Sequence, residues 1–230
     1  MGKNKLKHFA ENKTFPVLIQ PTLEEVRNGF YLKGKWANTF FNNDHPVVLE
    51  LGCGKGEYTV ELARKFPLKN FIGVDFKGAR LWRGSKTVTD DALMNAGFLR
   101  TRIEFIDRCF AAGEVSEIWI TFPDPQPKHS KSRRRLTSPH FINLYRKILT
   151  EGGLVHLKTD DEMFYNYTLE TILVQNLTLI EKSGDIYASK SPDVAVSVQT
   201  FYEIKFLNQG HKIKYLCFRL NKMSNEKQER

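Results

Sequence analysis

A chain of 230 residues and 26.7 kDa, 41% hydrophobic and 27% charged, has the size and composition of one globular domain with short extensions. No apolar run is long enough to cross a bilayer, and the opening MGKNKLKHF is basic but lacks the apolar stretch of a secretory signal. The net charge of +9 favours a polyanion, which such a surface attracts with release of counterions, or else marks no more than a soluble basic protein.

Residues 1–44 read as a basic N-terminal arm, interrupted by Pro16 and Pro21, with a helix start at Thr22-Leu23-Glu24-Glu25. The start Met-Gly is not a myristoylation signal, because position 6 is Leu6 rather than Ser or Thr. The body, residues 45–221, alternates strands with helices. Val47–Leu51 is an apolar strand, and Tyr58, Leu62 and Phe66 mark a helix over Gly56–Phe66. Then come a strand at Phe71–Val74, a helix at Gly78–Asn95, a short strand at Phe98–Ile103 and a helix near Ile106–Ala111. The strand Glu117–Phe122 leads into a proline-rich loop, Pro123–Lys128, and Pro139 opens a helix to Leu149 that Gly152-Gly153 should stop. The strand Leu154–Thr159, the helix Asp161–Gln175 and two late strands, Leu177–Lys182 and Lys214–Leu220, complete the body. Residues 222–230 read as a polar tail. This alternation predicts an α/β fold, a mostly parallel central sheet with helices on both faces, which binds ligands beyond the carboxyl ends of its strands.

Three strand ends carry the candidate chemistry. Glu50-Leu51-Gly52-Cys53-Gly54-Lys55-Gly56 places glycines at 52, 54 and 56. Position 57 is Glu57, so the dinucleotide spacing G-x-G-x-x-G fails, and so does a phosphate-binding Gly-Lys-Ser/Thr. Asp75, about two dozen residues further on, is placed to accept both hydroxyls of a ribose, or else to cap a helix. Asp124 stands between Pro123 and Pro125, whose rings stiffen the backbone that carries its carboxylate. Immediately downstream, Lys128, Lys131, Arg133, Arg134 and Arg135 put five positive charges in eight residues without an acid. Beside a substrate cleft, such a run suits phosphates. Phe201, Trp82 and Trp119 read as core packing. Cys53, Cys109 and Cys217 are widely spaced with no C-x-x-C pair, and the six histidines include no H-x-x-x-H pair. Neither a metal site nor a disulfide framework is expected, and the cysteine usage fits the cytoplasm.

The acid–x–Gly–x–Gly–x–Gly loop resembles motif I of the class I methyltransferases, a Rossmann-like fold. The segment Phe122–Lys128, F-P-D-P-x-P-K, followed by a basic loop and Arg134-Arg135-Leu136-Thr137, resembles the signature of the bacterial tRNA (guanine-N7)-methyltransferases. The similarity continues at Leu157-Lys158-Thr159-Asp160 and at Thr200-Phe201-Tyr202-Glu203, which matches T-x-Y-E, and covers most of the chain to about Leu220. The resemblance implies S-adenosyl-L-methionine as cofactor, with Glu50, Asp75 and Asp124 contacting it or lining its pocket, the loop of Gly52, Gly54 and Gly56 beside it, and Arg102 at a further family position. It implies that Lys128, Asp160, Thr200, Tyr202 and Glu203 bind tRNA. Arg133 and Arg134 are expected on its backbone, in a monomer or homodimer. Two residues depart from the pattern. Gln126 stands where Trp is common, and Arg102 cannot accept a hydrogen bond from an adenine amino group. In the implied reaction Asp124 is the catalytic carboxylate, supported by Asp160 and Glu203. The alternatives are a methyltransferase of another RNA, a protein or a small molecule, and a non-catalytic RNA-binding module.

Overall fold

The computed structural model describes residues 3–188 and 193–221. Its strands are β1 (Leu18–Ile19), β2 (Val47–Leu51), β3 (Asn70–Asp75), β4 (Ala96–Arg100), β5 (Val115–Thr121), β6 (Leu149–Thr159), β7 (Thr178–Ser183) and β8 (Lys214–Arg219). Its helices are α1 (Lys3–Glu11), α2 (Leu23–Asn28), α3 (Glu57–Lys65), α4 (Gly78–Asp90), α5 (Ile106–Cys109), α6 (Pro139–Arg146), α7 (Glu162–Val174), α8 (Asp193–Ser197) and α9 (Phe201–Asn208). The strands form one sheet in the order β1-β4-β3-β2-β5-β6-β8-β7. Every pairing from β1 through β6 is parallel, and β8 enters antiparallel between β6 and β7.

All five residues of β2 are buried, because helices cover both faces of the sheet. With a strand period of two, Val47, Leu49 and Leu51 enter one core with Trp36, Phe141, Tyr145 and Phe164. Val48, Phe71, Phe98 and Trp119 enter the other, under α3 and α4. There Gly56, Gly73 and Gly84 surround the Phe98 ring so closely that a Cβ on any of them would overlap it. The third glycine of the loop therefore serves helix–sheet packing. The chain leaves β2 toward β3 and β4, then crosses to β5 and β6. The order reverses between β2 and β5, and a crevice opens there beyond the strand ends.

Several boundaries differ from the sequence expectation. Within residues 3–44, α1 packs on α4, β1 pairs with β4, and Leu18, Val26, Phe30, Leu32, Trp36 and Phe41 are buried in the body. The helix start at Thr22 is a full capping box, in which Thr22 and Glu25 each hold the other's backbone N–H. Helix α4 ends at Asp90, five residues short of Asn95, and Ala92 beyond it adopts a left-handed conformation. Gly152-Gly153 do not end an element; they lie inside β6, where the β5–β6 pairing shifts register. Trp119 is core, stacked on His156 at 4.1 Å. Trp82 is only half-buried, stacked on His8 of α1 at 3.9 Å with its ring N–H on Glu11. Phe201 is exposed rather than core. The polar tail lies outside the described residues. No helix among the described residues is long and apolar enough to cross a membrane.

Candidate active site

Two adjoining cavities, of about 450 and 210 Å³, run across the carboxyl ends of the central strands. Both include Gly52, Lys77 and Arg80, so they form one continuous cleft. Gly52 and Gly54 carry φ of 78° and 58°, which turn the chain sharply from β2 toward α3. A side chain at Gly54 would meet nothing within 4 Å, so its backbone lies open to the cleft. Asp75 at the end of β3 accepts the N–H of Gly54 at 3.0 Å through one oxygen and that of Lys77 at 2.8 Å through the other. It thereby ties the glycine loop to the loop opening α4, and it faces the smaller cavity. The capping alternative does not apply, since α4 is capped at Lys77 without a side chain.

Glu50 lines neither cavity. It is buried behind the glycine loop, accepting the N–H and hydroxyl of Thr59 and the hydroxyl of Thr121 at 2.6 Å. Burial raises its pKa to about 7, against these hydrogen bonds and with the help of the Asp75 charge. Glu50 thus joins β2 to α3 and β5.

Asp124 lines the larger cavity with Thr121, Phe122, Pro123 and Pro125. Its carboxylate accepts the Gln126 N–H at 3.0 Å. Phe122 and Gln126, two residues to either side, have φ of 46° and 48°, a strained conformation for non-glycine residues that clusters at functional sites. The loop is held from behind by Arg135, which is buried, donates to the carbonyls of Pro125 and Gln126 at 3.1–3.3 Å, and lies 4.3 Å over the Tyr167 ring. Arg135 is therefore a structural staple, set apart from the exposed cations of the run. Lys128, Lys131, Arg133 and Arg134 are exposed, and Arg134 turns to the smaller cavity beside Arg102.

From the other side come Asp160, Asp161, Thr200, Tyr202 and Phe206. Asp160 faces His211 at 3.3 Å, and Asp161 caps α7 through the Phe164 N–H at 2.6 Å. Thr200 caps α9, and Tyr202 is exposed. Glu203, by contrast, is fully buried and absent from the cleft wall. The cleft also holds Lys55, Lys77, Arg80 and Glu104, which sequence reasoning did not single out. Their nearness to the strand ends was the available signal. Among the described residues no group of three or more His, Cys, Asp or Glu could hold a metal ion, and all three cysteines are free and buried.

The cleft suits a nucleoside carrying a charged amino-acid tail. The smaller cavity offers Asp75 to hydroxyls and Ile103, Leu136 and Phe141 to a flat base, and the larger offers open backbone at Gly54. A parallel sheet with this switch point, a glycine loop after β2 and an acid at the end of β3 defines a class I α/β methyltransferase, whose methyl donor is adenosylmethionine. A family profile described as "Putative methyltransferase" matches residues 44–216. A tRNA (guanine-N(7)-)-methyltransferase from Christiangramia forsetii is 52% identical, covering 95% of this chain and 99% of that one. Another, from Geobacillus sp., is 35% identical, covering 92% of each. The chain belongs to the tRNA (guanine-N(7)-)-methyltransferase family. Among solved structures, the 16S rRNA methyltransferase KamB covers 80% of this chain and 92% of its own length at 15% identity, with a TM-score of 0.62. The 16S rRNA (adenine(1408)-N(1))-methyltransferase of Catenulisporales acidiphilia, solved with its cosubstrate, covers 83% and 92% at 12% identity, with a TM-score of 0.55. These two likenesses speak for the fold alone.

Proposed function

We propose that this enzyme carries out the reaction that its relatives' name describes, on a guanosine in the variable loop of tRNA, and that Asp124 is its catalytic residue. What supports the reading is the placement of Asp124: a carboxylate on the cleft wall, in a loop fixed by two prolines and by Arg135. When bound, adenosylmethionine supplies a methyl group made electrophilic by its sulfonium. Gly52 and Gly54 would give backbone access to its amino-acid end, Asp75 would accept from its ribose hydroxyls, and Arg102, Glu104 and Leu136 would border its base. Since the Arg102 side chain has no acceptor, Glu104 would be the acid beside that base.

N7 of guanine carries a free lone pair and needs no deprotonation, so this chain has to orient the base and stabilise charge. The methylated ring becomes cationic, and the Asp124 carboxylate faces that developing charge. Asp160 adds a second acid, Thr200 and Tyr202 offer polar groups on the opposite wall, and Lys128, Arg133 and Arg134 hold the RNA backbone. Such a substrate places the enzyme in the cytoplasm, in keeping with three free thiols. The test is incubation with labelled adenosylmethionine and unmodified tRNA, then nucleoside mass spectrometry. Label in 7-methylguanosine from the variable loop supports the reading, and label in another base or in no RNA overturns it.

A further inference from the structure

Four consecutive residues, Thr200 to Glu203, match the family's T-x-Y-E, yet the last of them faces away from the cleft. Lys158 of β6 and Glu203 of α9 are both fully buried, with Nζ and Oε1 2.7 Å apart. The Lys158 ammonium also donates to the Val198 carbonyl at 2.9 Å and lies 5.4 Å from the centre of the Tyr58 ring. The Tyr187 hydroxyl donates to the same Glu203 oxygen at 2.6 Å and accepts from Gln199 at 2.8 Å. Among the described residues the second Glu203 oxygen has no partner, and the contacts to the carboxylate run through Oε1. At the head of the helix, Thr200 accepts the Glu203 N–H at 3.2 Å, and Glu57 of α3 accepts the Phe201 N–H at 2.9 Å.

The rest of α9 gives this pair its meaning. Glu203 is the helix's one fully buried side chain, whereas Phe201, Tyr202 and Ile204 are exposed. A helix of this kind ordinarily docks through an apolar stripe. Here Phe206 and Leu207 pack only partly, and a buried ion pair fixes the first turn. Removing two charges from water opposes folding, and what a buried pair gives in return is a defined geometry. That turn carries Thr200 and Tyr202, which form the cleft wall with Asp160, two residues beyond Lys158 on the same strand end.

We propose that the Lys158–Glu203 pair, with Tyr187, is a latch that sets the position of Thr200 and Tyr202 over the substrate side of the cleft. Glu203 is a positioning residue and acts on tRNA through them, without touching it. The inference rests on the tRNA methyltransferase reading above.

Charge removal in a double-mutant cycle tests it. Glu203→Gln leaves the Lys158 charge buried without a counter-charge, Lys158→Met does the converse, and the double variant removes both. With a latch, each single variant raises KM for tRNA about tenfold and lowers kcat less, leaves the Kd for adenosylmethionine within about threefold, and the double variant is no worse than either single one, because all three break the same link. If instead Lys158→Met keeps a wild-type KM while Glu203→Gln raises it, or the two effects add in the double variant, with all of them folded, Glu203 contacts RNA itself and the latch is overturned. Should the single variants fail to fold, Tyr187→Phe decides, because it removes one hydroxyl from a partly exposed ring. A severalfold rise in KM for tRNA at an unchanged thermal midpoint upholds the latch, and a wild-type KM overturns it. The wild-type enzyme run alongside separates the two readings. If it makes no 7-methylguanosine, the reaction assignment fails. The latch is then judged by hydrogen exchange over residues 198–206, which the single and double variants should all loosen; no loosening overturns it.

Discussion

Two carboxylates at the ends of neighbouring strands have opposite surroundings and opposite jobs. Glu50 is closed in among Thr59 and Thr121, and burial raises its pKa to about 7 from the ordinary 4.5. Because the folded value lies above the unfolded one, its contribution is fully present below about pH 4.5 and is lost as pH rises through about 7. The loss amounts to about 3 kcal/mol at most. Glu50→Gln mimics the protonated acid, accepting from Thr59 and donating to Thr121. It should flatten the decline, so that the variant gains on the wild type between these pH values; denaturant midpoints measured across the range check this. Asp124 is exposed and faces the cleft. Asp124→Asn keeps an acceptor for the Gln126 N–H and removes the charge. Turnover should fall by about two orders of magnitude, the effect of losing one preorganised electrostatic group, with the thermal midpoint hardly moved. Full activity in Asp124→Asn would shift the stabilising role to Asp160, and unfolding would make Asp124 a structural turn residue.

The loop after β5 shows what local sequence conceals. Its prolines and its place after a strand made it legible as a site, and so did the glycines after β2. The basic run behind it reads as uniform, yet Arg135 is buried while Arg133 and Arg134 are exposed. Nothing in the run marks the difference, since the partners of Arg135 are carbonyls nine and ten residues earlier and a tyrosine on α7. Gly152-Gly153 failed as a stop signal for a similar reason: β5 pairs with β6 on both sides of them, at Leu149 and again from Leu154. Glu203 was legible as part of a motif and not as a buried charge, because its counter-ion lies 45 positions away on β6. Arg135→Ala should remove the staple, lowering stability by about 1.5–3 kcal/mol, as for hydrogen bonds from a charged group. It should lower turnover as well, because the Asp124 loop loosens. Arg135→Lys keeps the charge but loses the forked geometry and should recover only part of either. Thermal melts with turnover on the same preparations check both, and a wild-type melting point in Arg135→Ala would count against the staple.

Across the whole molecule, the alternation of strands and helices foretold the parallel sheet, and the rule that such sheets bind ligands beyond the carboxyl ends of their strands foretold the side on which the cleft opens. The N-terminal segment was not legible, because a two-residue strand and scattered aromatics lack a period, and only β4 and the core give them partners. The net charge of +9 was legible as a sign without a location. The structure supplies the location: Lys55, Lys77 and Arg80 line the larger cavity, Arg134 lines the smaller with Arg80, and Arg83 shares a shallow depression with Lys55. An RNA lying along the rim would meet cations beside both cavities. Each phosphate neutralised contributes about 0.7–0.9 to the slope of log affinity against log salt. Lys55→Ala with Arg83→Ala should then lower that slope by about 1.5–2, and Arg133→Ala with Arg134→Ala by a similar amount. The two pairs flank different cavities, so the fourfold variant should show the sum. Both double variants should bind adenosylmethionine within about threefold of wild type, since neither replaces Asp75 or a glycine of the loop. Filter binding of unmodified tRNA over a range of salt concentrations reads these slopes. A slope unchanged in one pair would remove that side of the cleft from the RNA path and leave the other to carry it.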